Sequence, residues 1–228
     1  MLRVAIDGPG GTGKSTIAKA IAARFGLEYI DTGAMYRAMA LKSVREGVDP
    51  ADEPAVKAML DDTELDFRDS HVYIDGEDVS GLIRTNEISM AASDISKLVC
   101  VRAKADELNH YLASTRDVVM EGRDITTVVI PDAEVKIFMT ASPEIRARRR
   151  YDQMIAAGKE ADYDQIFEET QKRDYQDSHR SLNPLRQAED AVLLDTSDMT
   201  IEENIDAIAD IIIEKTGRQP LQWAGDIF

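Results

Sequence analysis

The chain has 228 residues, with 43 Asp and Glu against 27 Lys and Arg and a formal net charge of −16 at pH 7. That length allows a substantial core, while the acidic balance argues against a general nucleic-acid or anionic-membrane surface, since both rest on clustered lysine and arginine. A lone cysteine, Cys100, excludes an intramolecular disulfide and fits a reducing compartment, where its simplest role is that of a small core side chain.

The first element reads LRVAIDGPGGTGKST, residues 2–16, an apolar strand-like run followed by a glycine loop and a helix pattern over 14–25. Gly8, Gly13, Lys14 and Ser15 satisfy GxxxxGK[ST], in which successive backbone N–H groups wrap around phosphate oxygens. The expected ATP-binding set is Gly8, Pro9, Gly10, Gly11, Thr12, Gly13, Lys14, Ser15 and Thr16, with Lys14 on the outer phosphates and the Ser15 hydroxyl on Mg2+. Gly8, Gly10 and Gly13 also spell GxGxxG, and Asp31 falls near the place of a ribose-binding acid. The Lys14-Ser15 pair separates the two readings, because a dinucleotide loop has no use for it there.

A second strand pattern spans 27–30 and leads into Asp31-Thr32-Gly33-Ala34-Met35-Tyr36-Arg37, where Thr32 is suited to cap a helix. Residues 64–68, 72–75 and 78–83 are short alternating pieces broken at Asp69-Ser70 and Asp75-Gly76, the turn chemistry of a small antiparallel insert. The run 118–120 ends in Glu121-Gly122-Arg123-Asp124, suited to a metal-linked carboxylate and a phosphate clamp. After the run 135–139, Ser142-Pro143 opens a helix bearing Arg146, Arg148, Arg149 and Arg150, which reads as a lid over transferring phosphates or, for one or two of them, as a solvated face paired with Glu144 and Asp152. Arg173, Asp177 and Arg180 fall on one helical stripe beside Asp174, where intrahelical ion pairs are an equal explanation. His71, His110 and His179 lack metal-ligand spacing. A fifth strand pattern spans 191–194; beyond Gly217, Pro220 stops a helix, and Trp223 and Phe228 are available to dock.

Alternation of five such runs with helices predicts an α/β fold with a central five-stranded parallel sheet flanked by helices, its site beyond the carboxyl ends of the strands. No apolar run approaches bilayer-spanning length, and no secretory segment precedes the first strand pattern, so a cytoplasmic enzyme without a membrane partner is expected.

IDGPGGTGKST, DTGAMYRAMA, EDVSGLIRTNEI, EGRDITTVVIPDA, VKIFMTAS, ARRR and RDYQDSHRSLNPL occur in the order and spacing of the bacterial-type cytidylate kinases, which the chain resembles from residue 2 to about 216. The resemblance implies a single P-loop kinase domain over 1–228, with an acceptor-binding region at 32–105, an antiparallel insert at about 63–92, a lid at 143–160 and a tail at 217–228. It implies direct, Mg2+-dependent transfer of the γ-phosphoryl group of ATP to CMP or dCMP by a monomer that binds no nucleic acid. Carried over by position, Ser93, Arg102 and Asp124 meet the cytosine edge, Arg173 and Asp177 the sugar hydroxyls, and Arg37, Arg123 and Arg180 the acceptor phosphate. Thr32, Tyr36 and Glu121 complete the acceptor set, and Lys14, Arg123, Arg146, Arg149, Arg150 and Arg180 form the expected catalytic set. The chain departs from many relatives in carrying Glu121 for Asp, Thr126 for glycine and Thr32 for serine; none of these removes a required functional group.

Overall fold

A computed structural model describes residues 1–221; Trp223 and Phe228, expected to dock from the tail, lie outside the described residues. In chain order the elements begin with β1 (Arg3–Asp7), α1 (Lys14–Phe25), β2 (Glu28–Asp31), α2 (Thr32–Glu46) and α3 (Glu53–Asp61). Next come β3 (Leu65–Arg68), β4 (His71–Ile74), β5 (Glu77–Asp78), α4 (Asn86–Ile95) and α5 (Val99–Thr115). The remainder is β6 (Val118–Gly122), β7 (Val135–Thr140), α6 (Pro143–Ala156), α7 (Tyr163–His179), β8 (Val192–Asp195) and α8 (Ile201–Thr216). The five-stranded sheet has the order β2-β6-β1-β7-β8, and a separate three-stranded sheet the order β3-β4-β5.

Two compact units are present, one of Glu28–Arg116 and one of Leu2–Leu27 with residues 117–221. In the latter, β1 pairs in parallel with β6, from Arg3 opposite Val118 to Asp7 opposite Gly122, and on its other side with β7; β7 pairs in parallel with β8. Val4, Ala5, Ile6, Val118, Val119, Met120, Val135, Ile137 and Met139 are fully buried, so these strands are covered on both faces and read as largely apolar runs. Inside β7 the apolar run is interrupted by Lys136, whose Nζ reaches Asp190 Oδ2 at 2.6 Å. Helix α1 buries Ile17, Ala18, Ile21, Ala22 and Phe25, one stripe at helical spacing. Helix α8 starts in a Thr200–Glu203 capping box and ends at Gly217 in the left-handed region, so that glycine and not Pro220 stops it. Leu221 then donates its N–H to the Arg24 carbonyl at 2.9 Å.

Asp7 closes the end of β1. Its Oδ1 accepts from Ile125 N at 2.9 Å, and its Oδ2 from both Thr126 N and Thr126 Oγ1 at 2.7 Å. These bonds fix a short π-helical turn, Ile125–Val129, directly after the polar end of β6.

In the Glu28–Arg116 unit, Arg116 Nη1 donates to both Glu28 carboxylate oxygens, at 2.7 and 2.8 Å, and so ties the two ends of the unit together. Helix α2 is capped by Asp31, whose Oδ1 accepts from Ala34 N at 3.0 Å. Thr32 is therefore the first helical residue, with a buried side chain, and not the cap the sequence suggests. The insert is an antiparallel sheet whose two tight turns place Asp69, Ser70, Asp75 and Gly76 at φ 51°, 62°, 51° and 80°. Positive φ at both central residues matches the right-handed strand twist, which is why these short polar pairs mark the turns. The third strand is shorter than expected: it ends at Asp78, Val79 N makes a last bond to the Val72 carbonyl of β4, and Leu82 N and Ile83 N turn back onto the Val79 carbonyl. Cys100 lies half-buried on α5, outside the core.

The Thr126 hydroxyl bonds a buried carboxylate, and hydrogen bonds to charged groups contribute about 1.5–3 kcal/mol. Thr126→Ala is therefore expected to lower the unfolding free energy by about 2 kcal/mol, read as a shifted urea midpoint at unchanged slope.

Candidate active site

The loop between β1 and α1 is built so that its backbone comes close to its neighbours. A Cβ on Gly8, at φ 147°, would lie 2.0 Å from the Met139 carbonyl oxygen, and one on Gly11, at φ 83°, would lie 3.0 Å from Arg146 Cβ. Gly13, at φ 93°, is the residue from which α1 starts, so its N-terminal turn, carrying Lys14, Ser15 and Thr16, opens straight out of the loop. Pro9, Gly10 and Thr12 complete the loop, with Thr12 Oγ1 donating to the Pro9 carbonyl.

Lys14 is buried, and its Nζ donates to the Pro9 carbonyl at 2.7 Å. Burial, followed by the charge of Arg123, brings its pKa down from 10.5 to about 7, against the opposing pull of Glu121 and Asp7. A group with so little room for its own charge is well matched to a ligand that brings negative charge to it.

Arginines gather over the loop. A Cβ on Gly10 would lie 3.6 Å from Arg123 Nη2 and 3.9 Å from Arg173 Nη1. Arg123 Nε also donates to Asp177 Oδ2 at 2.8 Å, which joins the segment after β6 to α7. Burial acts to raise the Asp177 pKa, but Arg123, with Arg173 and Arg180, holds it below the usual carboxylate value. Burial likewise acts to lower the Arg123 pKa, yet Asp177, Glu121 and Asp7 leave it above its ordinary range. Arg180, at the end of α7, donates from Nε to the Asn183 carbonyl at 2.6 Å, and its Nη2 lies 3.4 Å from Asp124 Oδ1. Glu121, Arg123, Asp124, Arg173, Asp177 and Arg180 are thus brought to the phosphate-loop end of the sheet.

Helix α6 presents its arginines differently. Arg146 is buried, with Nε on the Ala141 carbonyl at 2.9 Å, Nη1 on the Gly10 carbonyl at 3.1 Å and both Nη groups on the Asp174 carboxylate. Arg149 donates to Thr196 Oγ1 and to the Thr196 carbonyl, and the Thr196 hydroxyl contacts the Thr12 carbonyl at 3.2 Å. Arg148 and Arg150 are exposed, and Arg148 faces Asp152 at 3.9 Å.

The other expected site residues, Thr32, Tyr36 and Arg37 on α2, Ser93 on α4 and Arg102 on α5, belong to the Glu28–Arg116 unit. Arg37 Nη2 donates to Asp31 Oδ2 at 2.8 Å, and the buried Arg102 guanidinium lies 5.6 Å from the Tyr36 ring centroid. Asp31, Asp174 and Thr196 have structural parts in these sets that sequence reasoning did not assign. Asp31 and Asp174 stood inside motifs already singled out, whereas nothing local marks Thr196.

Among the described residues, no group of three or more His, Cys, Asp or Glu could hold a metal ion. Magnesium is commonly bound by one or two protein oxygens with phosphates and water, and Ser15, exposed on the first turn of α1, and Glu121, at the end of β6, supply oxygens of that kind. Asp7 is already committed to three donors.

A family model described as Cytidylate kinase matches residues 4–214. A cytidylate kinase from Mycobacterium leprae is 46% identical over 215 residues, covering 94% of this chain and 96% of its own. One from Lactobacillus johnsonii is 46% identical over 219 residues, covering 94% and 95%, and one from Caldicellulosiruptor saccharolyticus is 42% identical over 222, covering 96% and 98%.

Gly8→Ala is expected to abolish nucleotide binding in a titration against ATP, since a methyl group cannot occupy a point 2.0 Å from the Met139 oxygen. A second expectation concerns protons. A triphosphate beside Lys14 raises its pKa from about 7 back toward 10.5, so ATP binding takes up a proton above pH 7 and weakens as pH rises through that window. Calorimetry at pH 8 in buffers of differing ionisation enthalpy should show uptake of roughly one proton, and Lys14→Arg, always charged, should remove it.

Proposed function

The chain belongs to the cytidylate kinase family, and from that premise we propose how its residues divide the work of transferring the γ-phosphoryl group of ATP to CMP or dCMP. The observation that carries the proposal is the convergence of Lys14, Arg123 and Arg173 on the glycine loop, with Arg123 held by Asp177. Phosphoryl transfer asks the protein chiefly to align two reactants and to neutralise charge spread over the transferring oxygens. The loop N–H groups and Lys14 hold the donor; Arg37, Arg123 and Arg180 hold the acceptor phosphate; and the transfer is direct and in line. The lid at 143–160 brings Arg146, Arg149 and Arg150 to the donor side. Ser15, with Glu121, would hold a magnesium ion, which when bound would draw charge from the phosphate oxygens.

Ser93, Arg102 and Asp124 read the cytosine edge, and Arg173 and Asp177 the sugar hydroxyls. Cytosine presents an amino donor beside ring acceptors, so a carboxylate with an arginine and a hydroxyl complements it. Uracil in the same place would leave polar groups unpaired. The acceptor region is assigned to 32–105, within a single functional domain that acts as a monomer. No described helix is long and apolar enough to cross a membrane, and the cytoplasm is the proposed setting.

Incubation with ATP, magnesium and each nucleoside monophosphate tests the substrate assignment: CMP and dCMP should be the best acceptors, and a preference for UMP would overturn it. In the same assay, Lys14→Ala should lower kcat by orders of magnitude. Asp124→Ala should instead reduce the ratio of kcat/KM for CMP over UMP, by roughly tenfold or more.

A further inference from the structure

Arg84 lies between β5 and α4, and none of the roles assigned above includes it. Its Nη2 is 3.9 Å from Asp31 Oδ2, the same oxygen that accepts from Arg37 Nη2 at 2.8 Å. Asp31 is itself anchored, because its other oxygen caps α2 through Ala34 N. Two guanidinium groups therefore flank one carboxylate at the start of α2, leaving a local excess of one positive charge.

The two arginines are held differently. Arg37 has a side chain 21% exposed, its Nε is buried without a hydrogen-bond partner, and its Nη1 lies over Gly33, where an added Cβ would stand 3.0 Å away. Arg84 has a side chain 62% exposed and only the long contact to Asp31 among its described ion pairs, so its donors are largely available to a ligand. An exposed ion pair of that length contributes little to stability. A dianionic phosphate, by contrast, offers enough acceptor oxygens for two arginine forks at once.

We propose that Arg84 is an additional binding residue for the acceptor phosphate, held beside Arg37 as the second arm of a fork that Asp31 sets. The proposal rests on the assignment of Arg37 to that phosphate. Asp31 is a positioning residue in this arrangement: it keeps Arg37 directed by one Nη group while the rest of the guanidinium faces the ligand. Gly33 leaves the space in which Arg37 lies against the first turn of the helix.

The test compares KM for CMP with inhibition by cytidine, which has the base and sugar but no phosphate. Arg84→Ala should raise KM for CMP about tenfold while leaving the cytidine inhibition constant and KM for ATP unchanged, and Arg84→Lys should recover part of the loss. Arg37→Ala should raise KM for CMP in the same assay. If Arg84→Ala leaves KM for CMP within twofold while Arg37→Ala raises it, Arg84 has no such role. A parallel loss of cytidine binding would mark a structural effect and would also overturn the proposal. If neither substitution moves KM for CMP, the assignment of Arg37 fails, and this one with it.

Discussion

A buried carboxylate at the end of β1 organises the phosphate-loop unit. Removing the Asp7 charge from water is unfavourable and raises its pKa, and three donors from Ile125 and Thr126 offset part of that cost. Those donors lie 118 and 119 residues away in sequence, so the bonds join the start of the glycine loop to the segment leaving β6. The same charge favours the protonated forms of Lys14 and Arg123. One side chain thus both fixes strand ends and tempers the repulsion between the cations beside them. The Thr126 hydroxyl adds a third donor to the two backbone N–H groups of this anchor.

Aspartates recur as holders of arginine in both units. Arg37 rests on Asp31, Arg123 on Asp177, Arg146 on Asp174 and Arg180 against Asp124. An unpaired buried guanidinium is strongly unfavourable, whereas a paired one stays oriented in the absence of any ligand. The charge of −16 therefore coexists with clustered arginines, because part of the acidic excess is placed directly against them.

The features legible in the sequence were those whose cause is local. GPGGTGKS predicts its loop because backbone clearance and the Lys-Ser pair are written in adjacent residues, and the Asp69-Ser70 and Asp75-Gly76 turns follow from short polar residues that tolerate positive φ. Asp31 and Thr32 are adjacent and both types are good caps, so the sequence does not separate them; the carboxylate of Asp31 is the one that accepts from Ala34 N. The partners of Arg146 and Arg149 were not legible at all. Gly10 is 136 residues from Arg146, Asp174 is 28 away, and Thr196 is 47 from Arg149, so helical periodicity predicts a face but not what the face meets. The fall in the Lys14 pKa was equally hidden, since it depends on burial and on charges from three other elements.

The Arg146 contacts have a mechanical consequence. One guanidinium grips the Gly10 carbonyl, the Ala141 carbonyl just ahead of α6 and the Asp174 carboxylate of α7, so the root of α6 is pinned to the floor of the nucleotide loop. Arg149, one turn further on, is held in the same way on Thr196, whose hydroxyl reaches the Thr12 carbonyl. The row of arginines therefore rivets α6 to the glycine loop at two points, about 4.5 Å apart along the helix axis.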